Sequence, residues 1–195
     1  MNEYDLIIIG SGPGGYVAAI RASQLGMKVA VIEKAETGGI CLNWGCIPTK
    51  ALLKSAQVLD YVRHASDYGI NAGEVPVPDF GAVIARSRGV ADAMSKGVQY
   101  LFKKYNIPVI NGFGRLKSQK TVEVETPEGG KQTFSAGHII IATGARSREL
   151  PNLKQDGKKI IGYREAMNLP ALPASMVVVG SGAIGSEFAG FYRSM

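Results

Sequence analysis

Cys41 and Cys46 are the only two cysteines in a chain of 195 residues. They stand in the run Gly38-Gly39-Ile40-Cys41-Leu42-Asn43-Trp44-Gly45-Cys46-Ile47-Pro48-Thr49-Lys50. Two sulfurs with so few residues between them can switch between a bridged and an open state. As a staple the bridge would do little, since closing so short a loop is worth only about 2 kcal/mol in the chain-entropy account. The chain opens on no charged stretch leading into an apolar run and a small-residue cleavage site. A reducing compartment, the cytoplasm, is therefore expected, where lasting structural disulfides are uncommon. A working disulfide that takes up and passes on an electron pair fits better. Cys46 lies just before Ile47-Pro48, and proline suits the opening of a helix, so the sulfur is expected near a positive helix end that favours the thiolate.

Metal binding is the rival use of two thiols. A closed zinc site takes four ligands as a rule, and only His64 and His138 are there to complete one. Each histidine stands alone on its own element, so both are assigned to structure or surface and no metal is expected.

A second constellation lies upstream. Gly10-Ser11-Gly12-Pro13-Gly14-Gly15 follows the apolar run Tyr4 to Ile9 and opens a helical pattern, and Glu33 closes the next apolar run. That is the context in which a glycine triplet binds a dinucleotide. Gly10 permits the tight turn, Gly12 lets backbone amides approach a pyrophosphate, and Gly15 lets the helix pack on the strand with its positive end toward the phosphates. Glu33 is then placed to hydrogen-bond ribose hydroxyls and to repel a 2′-phosphate. Behind Met176 to Val179, the run Gly180-Ser181-Gly182-Ala183-Ile184-Gly185 repeats the arrangement. The chain thus holds two nucleotide-binding starts.

Hydrophobic periodicity shows the elements that must position these residues. Tyr4 to Ile9, Gly14 to Leu25 and Lys28 to Ile32 read as strand, helix and strand. Between Thr49 and Ala65 the apolar residues Leu52, Ala56, Leu59 and Val62 recur every three or four positions, predicting a helix with one buried face and Lys50 on its first turn. Lys50 is one helical turn after Cys46, so both can face one ligand. Asp79 is the expected N-cap of a long helix whose core stripe is Val83, Ser87, Val90, Met94, Val98, Leu101 and Tyr105. Thr121 to Thr126 and Lys131 to Phe134 flank Pro127-Glu128-Gly129-Gly130 as an antiparallel hairpin. His138 to Ala142 reads as a buried strand ending at Thr143-Gly144. The fold class is therefore α/β. A Rossmann-like domain with a β-meander is expected over residues 1–147 and an irregular connector over 148–175. The first strand and helix start of a second Rossmann-like domain are expected over 176–195.

Such a length buries roughly 70% of the unfolded surface, enough for one α/β domain and part of another. The apolar runs are far shorter than the roughly 20 residues of a membrane-spanning helix, so no membrane association is expected. A formal net charge of +6 raises nucleic acid as a partner, but the 22 basic residues are scattered. An electrostatic footprint clusters on one face, and no nucleic-acid binding is expected.

The segment Gly38 to Lys50, behind one dinucleotide-type turn and ahead of another, resembles the flavin-dependent pyridine nucleotide-disulfide oxidoreductases. The wording Cys-Leu-Asn-Trp-Gly-Cys-Ile-Pro-Thr-Lys-Ala-Leu-Leu is most similar to the dihydrolipoamide dehydrogenase branch of that family, and matching motifs run from residue 4 to residue 189. The resemblance implies FAD on the first fold and NAD on the second. It implies that Cys41 exchanges with the substrate, that Cys46 lies in charge-transfer contact with the flavin, and that Lys50 sits by flavin N5, paired with Glu187. An acidic residue placed by the helix dipole in a first turn is the alternative account of Glu187. The FAD site would take in Gly10, Ser11, Gly12, Pro13, Gly14, Gly15, Glu33, Lys34, Gly38, Gly39, Gly114, Thr143, Gly144 and Ala145. The NAD site would take in Gly180, Gly182, Ala183, Ile184 and Gly185. A turn or a strand end also accounts for Gly114 and Gly144.

The implied activity passes electrons from a reduced lipoyl dithiol through the protein disulfide to FAD and on to NAD. A lipoyl-bearing domain of a 2-oxo acid dehydrogenase or related complex would be the partner, and a homodimer the assembly. Glutathione- and mercuric-reductase-like enzymes share the two-cysteine layout. A flavin-binding module without catalysis and a scaffold without cofactor are the readings outside enzymes.

Against the family pattern the chain stops inside the first helix of the second nucleotide fold. The later Gly-Asp segment of the FAD site and an interface domain with its His-Glu acid-base pair have no counterpart here, and neither His64 nor His138 matches that pair. General-base help is typically worth 10² to 10⁴ in rate, so the chain by itself is expected to be a nearly inactive piece of a longer polypeptide. Val177 to Val179, Phe188 and Phe191 are expected to expose apolar surface.

Overall fold

The structure, a computed structural model, describes residues 2–74 and 76–195. The chain divides into two compact units, residues up to Asn43 with Asp92–Arg146, and Trp44–Ala91 with Ser147–Met195.

In the first unit β1 (Asn2–Ile9), β2 (Val29–Glu33) and β3 (Val109–Asn111) run parallel. α1 (Pro13–Gln24) is the crossover that neighbouring parallel strands require. β4 (Phe113–Ser118), β5 (Thr121–Glu125) and β6 (Lys131–Ile141) form the expected antiparallel meander. β6 also runs parallel to β1, which makes one sheet in the order β3-β2-β1-β6-β5-β4.

Alternation decides the core. Ile7 with Ile9, Ala30 with Ile32, Val122 with Val124, and Phe134 with Ala136 sit two apart on four strands and meet in one buried cluster, as a side-chain period of two dictates. Leu6, Ile8, Val29 and Val31 are buried as well, which is why β1 and β2 read as unbroken apolar runs. β6 departs from expectation. The hairpin arm and the separate strand are one continuous strand, and its end is open rather than buried, Ile140 being 38% and Ile141 61% exposed. Pairing with β1 carries it on to Ile141, because ladder hydrogen bonds extend a strand whether or not its faces are covered.

The second unit is helical. α3 (Cys46–Arg63) packs on α6 (Ala183–Ser194). α4 (Phe80–Lys104) contributes its residues up to Ala91, and α5 (Tyr163–Ala166) lies in the stretch expected as connector. Leu52, Ala56, Ile84, Ala166, Met167, Phe188 and Phe191 form the core. Phe188 and Phe191, expected to be exposed, are therefore buried, because they share the face of α6 that enters this cluster. Val177 and Val179 are exposed, as expected. Met176 to Val179 forms no strand, since a strand exists only as a partner in a ladder.

Asp79 caps α4 as expected, accepting the Ala82 N–H at 2.9 Å. The buried line of that helix, however, runs through Ile84, Ser87, Ala91, Ser95, Val98 and Phe102, while Met94 is 46% exposed. Two serines are tolerated on it because each hydroxyl is satisfied. Ser87 donates to the Pro48 carbonyl at 2.9 Å and Ser95 to the Thr37 carbonyl at 2.8 Å. Hydropathy alone takes Met94 for core and passes over Ser95. No helix among the described residues is long and apolar enough to cross a membrane.

Candidate functional site

β1 ends at Ile9 and the chain turns at Gly10, whose φ is +105°. A Cβ there would fall 2.2 Å from the Ala142 carbonyl oxygen, so conformation and space both demand glycine. Gly12 caps α1 without a side chain, and Pro13 follows it without an N–H. A Cβ on Gly12 or Gly14 would meet nothing within 4 Å, whereas one on Gly15 would run into the Gly10 carbonyl at 1.9 Å. The result is a bare helix end, tight against β1 on one side and open on the other. That is the shape a phosphate needs for close approach to backbone at the positive end of a dipole.

Glu33, at the end of β2, is 8% exposed. Its Oε2 accepts from the Ser11 N–H at 2.8 Å and the Ser11 hydroxyl at 2.6 Å, and its Oε1 from the N–H groups of Lys34 and Ala35 at 2.8 and 2.9 Å. The same Ser11 hydroxyl accepts from the Gly38 N–H at 3.2 Å. One buried serine therefore ties the glycine turn to β2 and to the start of the cysteine segment. Gly39 goes further, with φ +63° and a backbone so close to the turn that a Cβ would stand 2.8 Å from Gly12 Cα.

α2 (Gly39–Asn43) carries Cys41, half-buried. Asn43, which sequence reasoning missed, holds this short helix by donating to the Thr37 and Gly39 carbonyls, each at 2.9 Å. Nothing in the hydrophobic pattern marks it. Gly114 is neither in a turn nor at a strand end, but inside β4 opposite Val124, where a Cβ would press on the methyls of Ile9 and Ile32 at 3.2 Å. Thr143, Gly144 and Ala145 are exposed just beyond β6, Gly144 at φ +72°. Lys34 is exposed, its Nζ 5.3 Å from the Phe113 ring centroid.

In the second unit, Gly45 caps α3 and Cys46 is its first residue, exposed. The helix begins three residues earlier than the periodicity predicts, because the Thr49 N–H already closes on the Gly45 carbonyl at 3.0 Å. Pro48 thus stands third rather than first, still within the turn where a missing N–H breaks no helical bond. Lys50 Nζ forms an ion pair with Glu187 Oε1 of α6, joining residues 137 positions apart. α6 has no acidic residue in its first turn, so the helix-dipole account of Glu187 fails and the ion pair stands.

The second glycine run repeats the first in detail. Gly180 has φ +115°, Gly182 caps α6 without a side chain, and a Cβ on Gly185 would meet the Gly180 carbonyl at 2.6 Å. The Ser186 N–H reaches the Gly182 carbonyl at 3.0 Å, as the Tyr16 N–H reaches that of Gly12 at 2.9 Å. Ala183 and Ile184 open the helix, both exposed.

The first unit therefore gathers Gly10, Ser11, Gly12, Glu33, Gly38 and Gly39, and the second joins Lys50 to Glu187. His64 ends α3 with Nδ1 2.9 Å from the Asp60 carbonyl, and His138 is exposed on β6. Among the described residues no three His, Cys, Asp or Glu stand close enough to share a metal ion.

A family model for the pyridine nucleotide-disulphide oxidoreductases matches residues 4–195. The chain belongs to that family. It is 54% identical to a dihydrolipoyl dehydrogenase from Rhizobium etli, over 100% of this chain and 43% of the relative. It is 52% identical to one from Zymomonas mobilis, over 98% of this chain and 41% of the relative. Among solved structures, LpdA from Mycobacterium tuberculosis matches with a TM-score of 0.88 at 28% identity, covering 100% of this chain and 43% of that one. The chain spans less than half the length of these relatives. The fold class is α/β and Rossmann-like, as expected from sequence.

Proposed function

We propose that this chain is the flavin-binding, disulfide-bearing part of a dihydrolipoamide dehydrogenase. The whole protein would oxidise a lipoyl dithiol presented by a domain of a 2-oxo acid dehydrogenase or related complex, with NAD as acceptor. A cytoplasmic homodimer is the assembly proposed for it. The observation that carries the reading is Cys46 at the first position of α3, one turn before a lysine paired to a carboxylate on α6.

The first unit fits FAD. The bare end of α1 at Gly12, Pro13, Gly14 and Gly15 suits a pyrophosphate, and Glu33 offers the ribose an acceptor when a ribose hydroxyl takes the place of the Ser11 hydroxyl. Gly10, Gly38 and Gly39 shape that cradle, and Lys34, Gly114, Thr143, Gly144 and Ala145 are assigned to the same site. Gly180, Gly182, Ala183, Ile184 and Gly185 repeat the cradle and are assigned to NAD. Residues 1–147 are accordingly read as the FAD domain, 148–175 as connector and 176–195 as the start of the NAD domain. The cofactors, when bound, supply the two-electron chemistry that links a dithiol to a nicotinamide.

The chain's own residues handle the sulfur exchange. A substrate thiolate attacks Cys41 Sγ, the Cys41–Cys46 bond breaks, and its electron pair leaves on Cys46 as a thiolate. The second substrate thiolate then attacks the substrate sulfur of that mixed disulfide, closing the substrate disulfide and releasing Cys41 as a thiolate. The positive end of α3 meets the charge on Cys46, and Lys50, held by Glu187, adds a cation one turn on.

The test uses the whole protein that carries this sequence. It should purify with a visible flavin spectrum and form NADH from NAD and dihydrolipoamide, and Cys46→Ser should abolish turnover with flavin retained. Absence of flavin, or a preference for glutathione disulfide or mercuric ion, overturns the reading.

A further inference from the structure

Three consecutive residues of α4 touch the Cys46 segment. Ser87, 0% exposed, donates to the Pro48 carbonyl at 2.9 Å. Arg86 Nη1 donates to the Ala51 carbonyl at 2.9 Å and reaches Ser55 Oγ at 3.4 Å. The Arg88 guanidinium lies 4.2 Å from the centroid of the Trp44 ring, which Arg164 approaches at 5.0 Å. Trp44 precedes Cys46 by two residues, and Pro48 and Ala51 follow it by two and five.

The carbonyls of Pro48 and Ala51 lie one turn apart on α3. Holding both from α4 fixes the rotation of α3 about its axis and its slide along that axis. Arg88 over Trp44 holds the chain where it enters the helix, a cation–π contact worth about 0.5–2 kcal/mol. Cys46 lies between these anchors. Each α3 carbonyl keeps its own helical N–H partner, so removing an anchor loosens the pose of the turn without unmaking the helix. Pose matters because the interaction of a thiolate with a helix end falls off within the first turn.

We propose that Arg86, Ser87 and Arg88 are positioning residues that set the reactivity of Cys46. The proposal rests on the assignment of Cys46 as the redox thiol. None of the three is among the groups assigned above to the sulfur exchange, and each acts through α3 or through the indole that precedes it.

The readout is the rate at which Cys46 is alkylated by iodoacetamide in the reduced whole protein, followed by peptide mass spectrometry from acid to alkaline pH. Ser87→Ala should slow alkylation by about threefold or more, because the reacting sulfur then loses its fixed placement at the start of α3. Arg86→Ala combined with Arg88→Ala should do the same. Arg86→Lys, which keeps a donor for the Ala51 carbonyl, should stay near the parent, as should Met94→Leu on the exposed side of α4. The equilibrium of the Cys41/Cys46 couple against glutathione should move by about threefold or more in the same variants. An unchanged alkylation profile in Ser87→Ala or in the double arginine variant overturns the proposal, as does an equal change in Arg86→Lys and Arg86→Ala. Should Ser87→Ala fail to fold, the double arginine variant decides alone. Failure of the couple to form any disulfide sinks the redox assignment instead, and the alkylation profile still decides the positioning role.

Discussion

Gly39 lies on Gly12 so closely that no side chain fits between them, a Cβ on the first standing 2.8 Å from the α-carbon of the second. The segment that leads to Cys41 is thereby docked, backbone against backbone, on the turn assigned to the flavin pyrophosphate. Gly39→Ala must both separate the two strands of backbone and hold alanine at φ +63°, a conformation that alone costs roughly 1–2 kcal/mol. The variant should lose about 2 kcal/mol or more in urea unfolding and shed flavin on desalting. Retained flavin with unchanged stability would show that the close approach is dispensable.

Lys50 and Glu187 separate a catalytic role from a structural one. Their side chains are 60% and 30% exposed, and exposed ion pairs contribute about 0–1 kcal/mol. Lys50→Met and Glu187→Gln should therefore leave urea midpoints nearly unchanged while lowering kcat by about tenfold or more, the outcome expected of the role proposed for the pair in the sulfur exchange. Steady-state kinetics beside unfolding curves check this, and a parallel loss of both would reduce the pair to a structural contact.

Tyr192 makes the second unit sensitive to alkali. Its phenol lies among the rings of Phe80, Phe188 and Phe191 and donates to the Ala166 carbonyl. Burial pushes its pKa up to about 12, above the value near 10 of an unfolded chain. The folded pKa is the raised one, so the stability this proton confers is complete below about pH 10 and is lost as pH rises through about 12. Tyr192→Phe should flatten that alkaline decline while costing about 1 kcal/mol at neutral pH through the lost hydrogen bond. Urea unfolding at neutral pH and at several alkaline values measures both.

Gly89 and Gly97 stand inside α4 at ordinary negative φ, exposed, with nothing within 4 Å of a built Cβ. Glycine in a helix interior is less stable than alanine by roughly 0.5–1 kcal/mol. Gly89→Ala and Gly97→Ala should each raise stability by about that amount and together add, since they share no contact partner. Thermal unfolding of the single and double variants decides it, and a lowered midpoint would mean that the chain's surroundings in the whole protein occupy that space.

What could be read directly from the residues was local. The glycine turns, the strand before the first of them, the Asp79 cap and the meander follow from rules that act within a turn or a pair of strands. The α4 stripe shows where such rules stop. Ser95, which the periodicity passes over, is buried with its hydroxyl donating to the Thr37 carbonyl 58 positions away, and no window of neighbouring residues contains that information. Phe188 and Phe191 are the same case, expected on the surface but buried once α3 and α5 close over them.

By itself, then, the amino-acid order determined which residues can do chemistry: two thiols, two glycine turns, Glu33, and Lys50 one turn after Cys46. Tertiary structure alone decided how they are held, with Ser11 bridging Glu33 to Gly38, Gly39 seated on Gly12, and α4 gripping the helix that begins at Cys46. The reason is range. Backbone preference and periodicity act over a few residues, whereas a hydrogen bond needs two groups within about 3 Å, and for groups distant along the chain only folding brings that about.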